Sequence, residues 1–291
     1  MSWCRATALA CSAMSNDGAF PFGRPNTERP ARMVVEARAM VIGVYPSAWH
    51  VSWTAPDLFG DGATHSVKAM AVDVEPTVFW DGANDDFEAR LRNWKQQVDF
   101  VEGSHGTIGT RSPSTNGSSG AKVVSNYLAP LGIPVENTAF TDVYPVFMVK
   151  RGGGASREQG DAIREDYDPI AERMGNARCT LPPRISSNQL PLQAATRFGQ
   201  RLVDDLEASR TSLVITLGRE VWDTLILLSA MNARPPCARF DDLNSEQYGA
   251  RGSLKIGGRT VEWLPLVHPG LLKGDASEWA RRHSTWSERQ R

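Results

Sequence analysis

The run TSLVITLG at residues 211–218 constrains the fold more than any other stretch of the chain. It is apolar and β-branched almost throughout, and it ends in glycine. A strand with one wet face alternates polar and apolar residues, whereas an uninterrupted run suits a strand buried on both faces, as in parallel sheets covered by helices. Two further runs have the same form. AMVIGVY at 39–45 leads to Gly43 and then Pro46, and VEWLPLVHPG at 261–270 turns polar at His268. A fourth strand-like segment, TAFTDVYPVFMV at 138–149, contains Asp142. Between these runs the spacing predicts helices. Phe87, Leu91, Trp94, Val98 and Val101 recur at intervals of four and three after the Asn84-Asp85-Asp86 cluster, and AKVVSNYLAPLG follows a polar, glycine-rich stretch at 111–120. Further helices are expected at 191–208, with Pro191 in the first turn, and at 219–231, followed by a hairpin around Gly257-Gly258. This alternation predicts an α/β fold, a three-layer α/β/α sandwich around a mostly parallel sheet. Ligands of such sheets bind outside the carboxyl ends of the strands, the edge where Gly43, Asp142, Gly218 and His268 should fall.

The 291 residues suit one large domain with insertions. Residues 1–32, rich in Gly, Pro, Asn and Arg, read as an N-terminal extension, and 33–291 as the domain. Weak alternation over 50–80 predicts a hairpin inserted after the first strand, and 151–190, with little periodicity, an excursion. The 32 basic and 33 acidic residues nearly cancel, so no global field draws the chain to nucleic acid or to a membrane, and any polyanion site must be local. No run approaches the ~18 apolar residues of a membrane span. Residues 1–14 only partly imitate a signal peptide, because the apolar core is short and no clear cleavage site follows. Cys4, Cys11, Cys179 and Cys237 form no CxxC, so free thiols and a cytoplasmic setting are expected. No two histidines are close enough in sequence for a local metal-ligand pair, and neither a metal nor another cofactor is expected.

The loop Gly43-Val44-Tyr45-Pro46, the terminal His268-Pro269-Gly270, and the intervening NGSSGAKVVSNYLAPLGI and LVITLGREVWDTL together resemble the uracil-DNA glycosylase superfamily over about residues 39–283. That family carries a G-x-x-P loop after its first strand and H-P-[SG] after its last. The resemblance implies DNA as partner, with no obligate protein partner, and monofunctional hydrolysis of an N-glycosidic bond after the nucleotide has rotated into a pocket. It implies that His268 stabilises the negative charge growing on the departing base. It also implies an aromatic platform for the base, either Phe79 or Trp80. Ser118 and Ser119 become phosphate contacts, with Lys273, Lys150 and Arg151 adding local positive charge. The iron–sulfur cluster of some members is not expected, because Cys4 and Cys11 lie too far apart.

Three departures bear on specificity. The residue before the loop proline, an acid or amide that holds water in uracil-specific members, is Tyr45 here, and a phenol near pKa ~10 is a poor base. Tyr45, His50 and Glu75 are the candidates for holding the water. The strand position that reads the base as asparagine is Asp142, and a carboxylate only accepts hydrogen bonds, which suits the amino group of cytosine better than uracil. Ser47 stands where a tyrosine excludes 5-substituted bases. Asp142 and Ser47 together predict a modified cytosine, hydroxymethylated or glucosylated, such as some bacteriophages use to protect their DNA. Plain uracil excision, an inactive DNA-binding module and a nucleoside enzyme are the rival readings.

Overall fold

The computed structural model describes residues 28–56, 66–82, 87–109, 116–148, 184–229, 233–256, 258–272 and 277–290. Its elements in chain order are β1 (Ala39–Gly43), β2 (Ala48–Thr54), β3 (Ser66–Val74), α1 (Phe87–Gln97), β4 (Thr107–Gly109) and α2 (Ser118–Lys122), which runs on into a π-helical turn over Val123–Leu128. There follow β5 (Thr138–Asp142), α3 (Leu190–Ser209), β6 (Leu213–Leu217), α4 (Arg219–Leu228), β7 (Gly252–Ile256), β8 (Arg259–Leu266) and α5 (Glu278–Gln290).

Five strands form the main sheet in the order β5-β1-β6-β8-β7. The four apolar runs of the sequence are its parallel strands, and β7 closes one edge antiparallel to β8. The chain passes from β1 outward to β5 and then crosses to β6 on the other side. A topological switch point therefore lies between β1 and β6, where sheets of this kind bind ligands.

Burial on both faces explains the uninterrupted apolar runs. Along β1, Met40 and Ile42 join the cluster containing Leu202 and Leu206 of α3 and Trp222 of α4. Ala39 and Val41 point the other way, into the cluster with Val123 and Tyr127 beyond α2 and Trp286 of α5. Helices thus cover both faces of a mixed, mostly parallel sheet, an arrangement compatible with three α/β/α layers. Burying each Val, Leu or Ile is worth about 1.5–3 kcal/mol, and a one-residue slip would exchange every residue between faces of different shape. The resulting register sets Gly43 beside Asp142 and Leu217 beside Leu266.

The expected hairpin is present as β2 and β3, but it gains β4 as a third strand and builds its own core of Trp49, Trp53, Trp94 and Phe100 with α1. The end of the N-terminal extension, residues 28–32, packs onto the main sheet. Arg32 and Phe140 exchange backbone hydrogen bonds at 2.8 and 2.9 Å, so this segment pairs with β5, and the Arg29 N–H donates to the Pro145 carbonyl. No helix among the described residues is long and apolar enough to cross a membrane.

Candidate active site

The loops leaving β1, β5 and β8, the start of α4 and the segment after β3 enclose a cavity of about 470 Å³. That lies within the roughly 300–1,000 Å³ typical of small-molecule sites and exceeds what a bare pyrimidine ring fills. Asp142, Tyr45, Pro46, Ser47, Phe79 and His268, six residues singled out in the sequence, share its wall.

Gly43 makes the floor of this cavity possible. A Cβ there would stand 2.4 Å from Oδ1 of Asp142 and 2.7 Å from Cζ of the Phe79 ring, so only glycine lets both side chains close over the end of β1. Phe79 itself adopts a left-handed backbone, φ 53°, which a non-glycine residue holds only under tertiary constraint. The constraint is visible next door. Gly120 at the start of α2 packs so closely on the Phe79 and Trp80 carbonyls that an added Cβ would lie 2.2 and 2.1 Å from them.

Asp142 is 4% exposed, and burial raises its carboxyl from 3.8 to about 6, partly offset by Arg29 and Arg201. Its backbone is fixed from behind. Arg201 of α3 donates to the Asp142 carbonyl and to Thr141 Oγ1, while an ion pair with Asp205 at 3.0 Å holds the guanidinium in place. The β1–β5 ladder continues past both strand ends, with Val143 N–H donating to the Gly43 carbonyl and Tyr144 N–H to that of Val44.

Glu75, expected only as one of several water-holding candidates, is 5% exposed and lines the same cavity. Its Oε1 accepts from the Gly117 N–H at 2.9 Å. Burial pushes its carboxyl up to about 7, opposed by that N–H and by Arg29 and reinforced by the negative charge of Asp142. Arg29, 3% exposed, donates to the Thr77 carbonyl at 2.9 Å and to the Ser47 carbonyl, tying the segment after β3 to the loop after β1. Sequence reasoning missed Arg29 because its Pro-, Asn- and Arg-rich surroundings carry the signal of a loop.

His268 caps the turn that follows β8. Its Nδ1 accepts from the Gly270 N–H at 3.0 Å, so a neutral ring carries its proton on Nε2. The residue before it is clamped from both sides. Tyr127 donates its hydroxyl to the Val267 carbonyl at 2.7 Å, and the Val267 N–H donates to the Tyr248 hydroxyl at 3.2 Å. The Tyr248 hydroxyl is hydrogen-bonded to Nδ1 of His283 at 2.7 Å, and His283 Nε2 donates to the Asn126 carbonyl at 3.0 Å. Burial lowers the pKa of His283, and with the ring neutral Tyr248 is the donor to Nδ1.

Also in the lining, Arg184 stacks over the Tyr45 ring at 5.3 Å and pairs with Glu220 of α4 at 3.2 Å. Burial raises the Tyr45 hydroxyl above its ordinary pKa. Ser118, Ser119 and Lys122 complete the lining, Lys122 being a cation that sequence reasoning did not single out. Trp80, the other proposed platform, is not part of this wall. It packs against the core of the small sheet, one residue on from Phe79. His50 is also elsewhere, buried beside Phe147 with Asn116 bonded to its backbone, and burial lowers its pKa to about 4. Lys150, Arg151 and Lys273, like Cys4, Cys11 and Cys179, lie outside the described residues.

Among the described residues no group of three or more His, Cys, Asp or Glu side chains is placed to hold a metal ion. The cavity instead brings together an aromatic side chain, Phe79, two buried carboxyls, Asp142 and Glu75, and an imidazole, His268. Such a set can grip a flat heterocycle along its edge and stabilise charge that develops on it. No model of a known protein family matches the chain, and no curated protein matches it either.

Proposed function

We propose that the protein is a monofunctional DNA glycosylase with the uracil-DNA glycosylase fold, hydrolysing the N-glycosidic bond of a 5-modified cytosine rotated out of DNA. The observation that carries this reading is the meeting of Asp142, Phe79 and His268 in one cavity at the carboxyl edge of the sheet. Phe79 offers a stacking face worth about 1–3 kcal/mol per base. Ionised Asp142 accepts from the cytosine amino group, and His268 donates through Nε2 to the base oxygen on which negative charge accumulates. Ser118, Ser119 and Lys122 meet the flanking phosphate.

The 5-substituent follows from size and polarity. Ser47 leaves open the wall that a tyrosine would fill, and beyond it Tyr45, Arg184 and Glu220 supply an aromatic face with charged donors and acceptors suited to a hydroxymethyl or glucosyl group. Removal of such bases leaves abasic sites in phage DNA and makes the enzyme a defence protein.

The test is base release, measured by mass spectrometry, from DNAs containing uracil, cytosine, 5-hydroxymethylcytosine or its glucosylated form. Wild-type protein is expected to release a modified cytosine. His268→Ala should lower the rate by roughly 10²–10³-fold, the usual effect of removing an oxyanion donor. Ser47→Tyr should abolish release of the glucosylated base first. Release of uracil alone would overturn the specificity, and release from no DNA would favour a binding module.

A further inference from the structure

Building on the glycosylase reading, we infer that Glu75 is the catalytic residue that holds and deprotonates the attacking water, in place of the acid or amide missing before Pro46. The other basic groups of the cavity are committed to different work. Glu220 is paired with Arg184, and His268 accepts at Nδ1 and carries its proton at Nε2. The Tyr45 phenol is driven further from ionisation by burial, and Asp142 is pressed against Gly43 and the Phe79 ring at the floor, where the base edge sits.

Glu75 alone among these carboxylates combines exposure to the cavity with a fixed orientation and no ionic partner within salt-bridge distance among the described residues. Its Oε1 is anchored by the Gly117 N–H, which leaves lone pairs on the carboxylate for a water. Its backbone is anchored as well. The Glu75 N–H donates to the Ser47 carbonyl at 3.4 Å, and Arg29 bridges Ser47 and Thr77 on either side of it. Such a base gains from being held before substrate arrives, because orientation need not be acquired in the transition state. Its elevated pKa of about 7 adds to this, giving a stronger base than an ordinary carboxylate while leaving a large ionised fraction at neutral pH.

The step balances without a cofactor. Water oxygen bonds to C1′ of the flipped nucleotide as the C1′–N1 bond breaks, its electron pair leaving with the base. Glu75 takes one water proton, the sugar keeps the hydroxyl, and the base anion, hydrogen-bonded by His268, is protonated from solvent as Glu75 returns its proton there.

The groups that set the ionisation of Glu75 come from several elements: Arg29 from the N-terminal segment, Arg90 from α1, Asp142 from β5 and the Gly117 N–H before α2. Tyr45, Lys122, Arg184, Glu220 and His268 line the same cavity. Because the carboxylate form is the active one, the single-turnover rate on DNA containing glucosylated 5-hydroxymethylcytosine should rise with pH through about 7 in the wild type. Glu75→Gln keeps the shape and the acceptor for Gly117. It should lower that rate by roughly 10²–10⁴-fold, the usual worth of a general base, and remove the upper part of the pH rise. Affinity for DNA bearing an uncleavable abasic analogue should stay at the wild-type value, and Glu75→Asp should recover part of the rate. Loss of roughly tenfold or less in the Gln variant would overturn the inference while leaving the glycosylase reading intact. A flat wild-type profile from pH 5 to 9 would overturn it without reliance on any variant. Wild-type protein that releases no base from any of the four DNAs would overturn both.

Discussion

Replacing Asp142 by asparagine should make the protein more stable while impairing it as an enzyme, and the size of the gain can be worked out from its surroundings. In the folded chain burial lifts the carboxyl from 3.8 to about 6. An acid whose pKa is higher folded than unfolded favours the folded state when protonated and opposes it when ionised. That contribution is intact below pH 3.8 and is lost as the pH rises through about 6. At about 1.4 kcal/mol per tenfold, ionised Asp142 costs the folded state about 3 kcal/mol at pH 8 and only about 0.5 kcal/mol at pH 4. Asparagine has the same outline and never ionises, so Asp142→Asn should gain about 3 kcal/mol over wild type at pH 8 and about 0.5 kcal/mol at pH 4. Urea unfolding of both proteins at the two pH values measures this directly. A variant no more stable than wild type at pH 8, or equally favoured at both pH values, would refute the view that burial outweighs Arg29 and Arg201 in setting the state of this carboxyl. The gain would also mark Asp142 as a residue kept at the expense of stability, as binding and catalytic groups often are.

Two further substitutions probe how the site is held. Gly43→Ala places a methyl 2.4 Å from Asp142 and 2.7 Å from Phe79, so it should cost about 1–3 kcal/mol in thermal or urea unfolding and abolish base release with both side chains displaced. Tyr248→Phe leaves the Val267 N–H and His283 Nδ1 without the hydroxyl they share. It should cost about 1–3 kcal/mol in urea unfolding and lower the rate of base release more than DNA affinity, since His268 follows Val267 directly.

The sheet could be read from the sequence because its signal is local. Uninterrupted runs such as LVITL declare a strand buried on both faces, and the residues at which these runs stop, Gly43, Asp142 and His268, do meet at one edge. Glu75 was only weakly marked. It follows an alternating strand at a point where a charged residue ordinarily faces water, and its burial comes from α2 and the 28–32 segment, which are distant in sequence. Arg29 was hidden for the same reason. That Phe79 and not Trp80 lines the cavity goes with a left-handed backbone at Phe79, where Gly120 packs on its carbonyl, and no window around 79 encodes that contact.

The cavity lies where the main sheet meets the appended one, whose core also takes in Phe147 from beyond β5. Asp142 and His268 rest on the two cores of the main sheet, whereas Glu75 leaves the end of a strand whose Met70, Ala71 and Val72 belong to the tryptophan-rich core of the appended sheet. Phe79 leaves the same strand end four residues further on. On the proposed reading, the stacking face and the water-holding carboxylate therefore came with one insertion, and a lineage that lost the appended sheet would lose both together.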